Sequence, residues 1–372
     1  MTPTRPTTSA RRLAFVAHLL PLAILGGCGP TETPCAGAGV ICRVAGDGSA
    51  SFDGDGKDAV ASGLYLTSTV RRGPDGLVYV MDFNNHRLRR VEADGTLRTV
   101  IGNGIHAVAV EGAAARETPL ENPIDFAFDA SGGVVLIGYH DPRILRVGAV
   151  GVLEVLAGSG FQGEHGDDGP ALEATFTQLS ALAVAPDGRV AVCDDLSHRV
   201  RALVDGQIVA VAGVSGEAGF SGDGGKATEA KLDTPRGLAF DAEGNLYVAD
   251  SQNHRIRRIG VDGLITTIAG TGEAGQSGDD GPALDATLRE PNGVEIAPDG
   301  SVLVADTGNH RIRRIDASGT IRTLAGTSAG LSGDGELARR AELRGPNRAT
   351  ATDDAVYIGD QRNHLARVVF LR

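Results

Sequence analysis

Residues 232–270 read LDTPRGLAFDAEGNLYVADSQNHRIRRIGVDGLITTIAG, and residues 288–326 repeat them as LREPNGVEIAPDGSVLVADTGNHRIRRIDASGTIRTLAG. Within the first copy, 237–241, 246–250, 255–259 and 264–269 are short apolar or β-branched runs, parted by Asp-Ala-Glu-Gly, Ser-Gln-Asn-His and Val-Asp-Gly turns. That pattern predicts four antiparallel strands. Outward from these two copies the same markers recur. An acid closes the second strand at Asp82, Asp194, Asp250, Asp306 and Asp360, with Gly138 in the remaining slot, in four steps of 56 residues and one of 54. A glycine closes the last strand at Gly46, Gly102, Gly158, Gly213, Gly270 and Gly326. Each marker occurs six times.

A single four-stranded sheet with two apolar faces cannot bury itself, whereas six arranged radially bury one another and leave only short edges. The expected fold is therefore an all-β, six-bladed β-propeller of four-stranded antiparallel blades spanning residues 40–372. Marker order also predicts how the ring closes. The first Val-Ala-Gly strand, 41–46, precedes the first Asp marker, and nothing equivalent follows Asp360. The N-terminal strand is thus expected to complete the last blade, which removes two exposed edges at once.

Composition agrees with this reading. Glycine supplies 53 of 372 residues, tryptophan is absent, and 41% of residues are hydrophobic, which excludes collagen-like repeats and wholesale disorder. The formal charge of −12 disfavours nucleic-acid binding, because an acidic surface repels phosphate backbones.

Arg11 and Arg12 precede an apolar run that ends in Leu25-Gly26-Gly27-Cys28, the layout of a secretory signal. Those last four residues resemble the bacterial lipobox. The resemblance implies a signal peptide over 1–27, acylation of Cys28 and a tether over 28–39, in a protein held to the bacterial cell envelope by lipid alone. Gly29 stands where an acid would retain such a protein in the inner membrane, so the outer membrane is expected. Of the other cysteines, Cys35 and Cys42 are close enough in sequence to pair, and Cys193 reads as a small buried residue within a strand.

Asn85-His86-Arg87, Asn253-His254-Arg255, Asn309-His310-Arg311 and Asn363-His364-Leu365, each behind a Tyr-Val-Ala-Asp type strand, resemble the NHL repeat. The long units resemble those of bacterial envelope proteins and teneurins. Blade two departs from the pattern with Tyr139-His140-Asp141-Pro142-Arg143. The resemblance implies an interaction scaffold, and only occasionally an enzyme.

The repeat histidines lie one per blade, so they cannot converge on one ion, and Asp250 and its equivalents are expected to hydrogen-bond the Asn and His of their own turn. His106, His140 and His165 fall in different loops without ligand spacing. The Asp-Gly loops at 53–56, 166–169, 222–224, 278–281 and 333–335 allow a calcium reading but lack a full ligand set. No cofactor or metal is expected from them. Gly169-Pro170 and Gly281-Pro282 instead read as helix starts, with Pro at the first helical position. The strand-three arginines suggest an internal charge ladder.

Where the inner strands open, Ser68, Asp125, Ser180, Arg236, Asn292, Asn347 and Arg348 are expected to ring the pore mouth on the long-loop face. Arg71, Glu295 and Thr350 lie deeper. The function these residues suggest is a monomeric, lipid-anchored, non-catalytic scaffold that binds a protein or glycan through the long-loop face. The alternative is a metal-dependent lyase or lactone hydrolase with its site in the central pore, for which Glu295, Asn292, Asn347 and Asp125 form an incomplete ligand set.

Overall fold

A computed structural model describes residues 35–372. The signal segment, Cys28 and the first part of the tether lie outside the described residues. Six separate sheets of four or five strands form six blades. Blade one is Thr67–Arg72, Val78–Asp82, Arg87–Val91 and Thr96–Ile101, counted from the channel outward. Blade four, from the quoted stretch, is Pro235–Phe240, Leu246–Asp250, Arg255–Ile259 and Ile265–Ala269.

The ring closes as the markers predict. Ile41–Ala45 is the outermost strand of the sheet formed by Ala349–Ala351, Ala355–Asp360 and Leu365–Phe370, with Ile41 opposite Val369 and Cys42 opposite Val368. Val40 also bridges Leu337, and a Cys35–Cys42 disulfide ties the chain just ahead of this strand.

Each hydrophobic cluster sits between two neighbouring blades. Between blades three and four, Ala191, Cys193 and Val200 meet Leu238, Val248 and Ile265. Cys193 is fully buried, and that burial pushes its thiol well above the ordinary cysteine range. Around the channel the backbones come close. A Cβ on Gly293 would lie 2.7 Å from the carbonyl of Asn347, so only glycine lets those two inner strands approach.

The Gly-Pro pairs differ from expectation. Gly169–Pro170 and Gly281–Pro282 are short bridges to the outermost strands of their blades, and the 3₁₀ turns begin one residue later, at Ala171 and Ala283. Pro170 and Pro282 therefore occupy the cap position, where a fixed φ starts the turn without supplying an N–H.

Candidate functional site

The repeat side chains form one network per blade. Asp250 accepts the backbone N–H of Asp233 and the side-chain amide of Asn253, and it sits 3.1 Å from the guanidinium of Arg257. Arg257 in turn reaches Asp223 of the acidic loop at 2.8 Å. Arg89, Arg201, Arg313 and Arg367 repeat this arrangement, each fully buried between an Asp of the second strand and an Asp of the loop. The acidic loops thus turn these carboxylates onto arginine. Burial lifts the carboxyls of Asp82, Asp250 and Asp306 to about 6 against the lowering effect of their donors.

The histidine of the motif behaves otherwise than expected. Its Nδ1 does not bind the Asp of its own turn but accepts a backbone N–H from the next blade: His198 from Thr234, His254 from Glu290, His310 from Gly345 and His364 from Leu66, all at 3.0–3.2 Å. These histidines hold left-handed backbone angles, which aims the ring across the blade boundary. Asn85, Asn253, Asn309 and Asn363 meanwhile donate to carbonyls of the long loops, which places those loops and the motif turns on one face.

On that face the channel is closed. Arg348 is buried and reaches Asp125 at 3.4 Å, the carbonyl of Ser180 at 2.8 Å and the carbonyl of Asn292. Asp125 also accepts from Thr69 and from the backbone of Phe126 and Leu182. Ser68 and Asn347 are buried beside each other, with the amide of Asn347 3.4 Å from the carbonyl of Ser68. Asn292 accepts from Ser251, and half-buried Arg236 lies 3.5 Å from buried Asp195. Around the channel axis these residues are tied to one another and to neighbouring backbone as an internally bonded plug.

Arg71, Glu295 and Thr350 line a cavity of about 260 Å³ at the far ends of the inner strands, together with Phe128 and Phe240. Arg71 and Glu295 pair at 3.3 Å, and Thr350 donates to the carbonyl of Val70. Burial raises the Glu295 carboxyl above its ordinary value, and Arg71 opposes that shift. The acids expected as pore ligands are therefore engaged by arginines on different strands.

Blade two is rebuilt. Gly138 replaces the Asp, Leu145 replaces the buried Arg, and Glu111, in the slot of Asp55, is exposed. A Cβ at Gly138 would lie 2.4 Å from the carbonyl of Glu121, so that backbone fills the space where an Asp side chain would begin. Here the structure brings together residues that the sequence reading kept apart. His106, Glu121 and His140 place ligand atoms within 4.8 Å of one another, the one such His/Cys/Asp/Glu trio among the described residues. His106 Nε2 contacts Glu121 Oε1, and His140 Nδ1 lies 3.4 Å from the same oxygen. A signal was available in the repeat: His106 bridges Leu120 as Ala50, Ala218, Ala274 and Ala329 bridge their own leucines, so a histidine stands at an alanine position. The same loop exposes Ile105, Val108 and Val110, and the next one exposes Phe161 at 75%.

The model of the teneurin NHL domain matches residues 212–277 and 270–333. NHL repeat-containing protein 2 of Bos taurus is 32% identical over 276 residues, covering 65% of this chain and 38% of its own length. The chain is an NHL-repeat β-propeller. This NHL propeller spans well under half the length of the curated relatives it matches, between 24% and 40% for the first three. Among solved structures, a protein of unknown function from Bacteroides thetaiotaomicron superposes with a TM-score of 0.66 at 16% identity, covering 88% of this chain and 74% of that one. An auxiliary nutrient binding protein from the same organism gives a TM-score of 0.63 at 15% identity, over 88% of this chain and 75% of that one. At those identities the likeness concerns the fold.

Proposed function

We propose that this NHL propeller is a non-catalytic scaffold, anchored by lipid at Cys28 to the bacterial outer membrane, and that it holds a protein partner on its long-loop face. The observation that carries this reading is the set of exposed aliphatic and aromatic side chains on two successive long loops, Ile105, Val108, Val110 and Phe161. Other exposed aromatics on these loops are engaged by the protein itself: Phe52 lies under Arg87 and Phe220 under Arg255. Large apolar groups left in water on one face favour a protein over a glycan, whose recognition relies more on polar donors and flat stacking.

The test is capture from envelope extract by the wild-type propeller and by a Val108→Asp/Phe161→Asp double variant. Specific partners retained by wild type should drop about tenfold in the variant at unchanged melting temperature. Equal capture by both proteins overturns the face, and saccharide-array signals that survive the substitutions favour a glycan. For the anchor, palmitate labelling should be lost in Cys28→Ser, and an unlabelled wild type refutes it.

A further inference from the structure

We propose that His106, Glu121 and His140 form a binding site for one divalent transition-metal ion of the zinc class, an assignment independent of the partner reading above. Two imidazole nitrogens and one carboxylate oxygen converge from the start and the end of the long loop between blades one and two, His106 and Glu121, and from the broken motif turn of blade two, His140. Zinc binds such donors at about 2.0–2.2 Å, which puts neighbouring ligand atoms about 3.3 Å apart. His140 Nδ1 and Glu121 Oε1 already stand 3.4 Å from each other.

Surrounding groups hold this geometry. Asn122 is buried, and its Oδ1 lies 2.8 Å from His106 Nε2 and 3.2 Å from His140 Nδ1. Its Nδ2 donates to Asn84 Oδ1 at 3.2 Å, which fixes the amide with its oxygen toward the two rings. A buried polar side chain is thus aimed into the trio from below. His86 stacks flat on His106, with ring centroids 4.6 Å apart. At the junction of blades one and two the motif histidine is present but its inter-blade Nδ1 bond is not made: Asn122 has the left-handed backbone of the usual donor, yet the buried Nδ1 of His86 has no hydrogen-bond partner among the described residues. The motif histidine orients His106 where its counterparts in four other blades join their neighbours.

The donor set decides the class of ion. Calcium and magnesium prefer sites made wholly of oxygen, whereas mixed imidazole and carboxylate donors suit zinc, nickel and copper. His106 and His140 are 54% and 51% exposed and Glu121 is 14% exposed, so three protein ligands leave at least one coordination position facing solvent on the long-loop face.

The experiment is calorimetric titration of the untagged, chelator-stripped chain with zinc chloride, followed by cobalt(II) absorption spectroscopy. One zinc ion per chain is expected, with a cobalt spectrum of low coordination number. Binding should weaken by more than about tenfold in His106→Ala/His140→Ala and be unchanged in His165→Ala, a histidine outside the trio. Asn84→Ala, which touches no ligand atom, should weaken it less. Urea unfolding of the metal-free variants separates loss of ligands from loss of fold. No zinc uptake, equal affinity in the double variant, or calcium binding as tight as zinc would each overturn the proposal and leave a hydrogen-bonded cluster only.

Discussion

Arg348 of blade six crosses the channel to Asp125 of blade two, Nε to Oδ2 at 3.4 Å, with both side chains buried. The same guanidinium caps carbonyls of Ser180 in blade three and Asn292 in blade five, so one side chain ties four blades at the axis. Arg348→Ala leaves a buried carboxylate without its cation. The expected loss is about 3 kcal/mol in urea unfolding, near the low end for a broken buried pair because three other donors still serve Asp125. Arg348→Met combined with Asp125→Asn should recover more than half of that loss. A neutral Arg348→Ala would show that the plug does not hold the ring.

Ring closure is carried by Ile41–Ala45 against Leu365–Phe370, with Ile41 and Cys42 buried among residues of blade six and its neighbours. Deleting residues 40–46 opens the edge and uncovers those clusters, so the melting temperature should fall sharply. Cys35→Ser removes only the disulfide. The short loop it closes limits the entropic effect to about 2 kcal/mol, and the melting curve should shift far less than in the deletion. Equal shifts would mean that the covalent clasp, and not the strand pairing, holds the termini together.

The six-fold period, the four strands per blade and the terminal closure were legible because each rests on a local pattern that repeats. Side-chain partners across a blade boundary were not. The motif histidine and its acceptor role join residues 35 or 36 apart within the repeat, and up to 298 apart at the closure, and no spacing rule links them. The contacts across the pore mouth were not legible for a similar reason. Ser68 lies in the inner strand of blade one, and Asn292 and Arg348 just precede the inner strands of blades five and six, but a polar ring this narrow satisfies itself across the channel, and only the reach of one arginine decides that. The trio at His106 was hidden by distance in sequence, although a histidine at an alanine position marked it.

In blade two the Asp, the buried Arg and the engaged loop acid are absent together, with Gly138, Leu145 and exposed Glu111 in their places. The three positions behave as a unit, and breaking one alone should be costly. Arg257→Leu strands Asp250, which is fully buried, and also frees Asp223. Equilibrium unfolding should show a loss of about 3–5 kcal/mol. Adding Asp250→Asn removes the buried charge while keeping an acceptor for the N–H of Asp233, and should restore at least half. No recovery would show that the arginine acts by packing and not by charge.

His364 Nδ1 accepts the N–H of Leu66 at 3.0 Å, joining blade six to blade one at the ring's seam. That bond requires an unprotonated Nδ1. Burial first, and then the nearby Arg344 charge, hold the His364 pKa below the ordinary value of 6.5. A histidine whose folded pKa is lowered contributes its full stability above pH 6.5 and loses it as pH falls through the folded value. His364→Gly suits the left-handed backbone at φ 58° and deletes the acceptor together with the ring's edge contact to Tyr65, a packing loss that does not vary with pH. The hydrogen-bond part of its cost should be about 1 kcal/mol at neutral pH and shrink as pH falls through the folded pKa, where the wild-type bond is also lost. Because Asp82, Asp250 and Asp306 titrate in both proteins, their effect cancels in the difference between wild type and variant. A difference that stays constant with pH would exclude the imidazole as the acceptor at the seam.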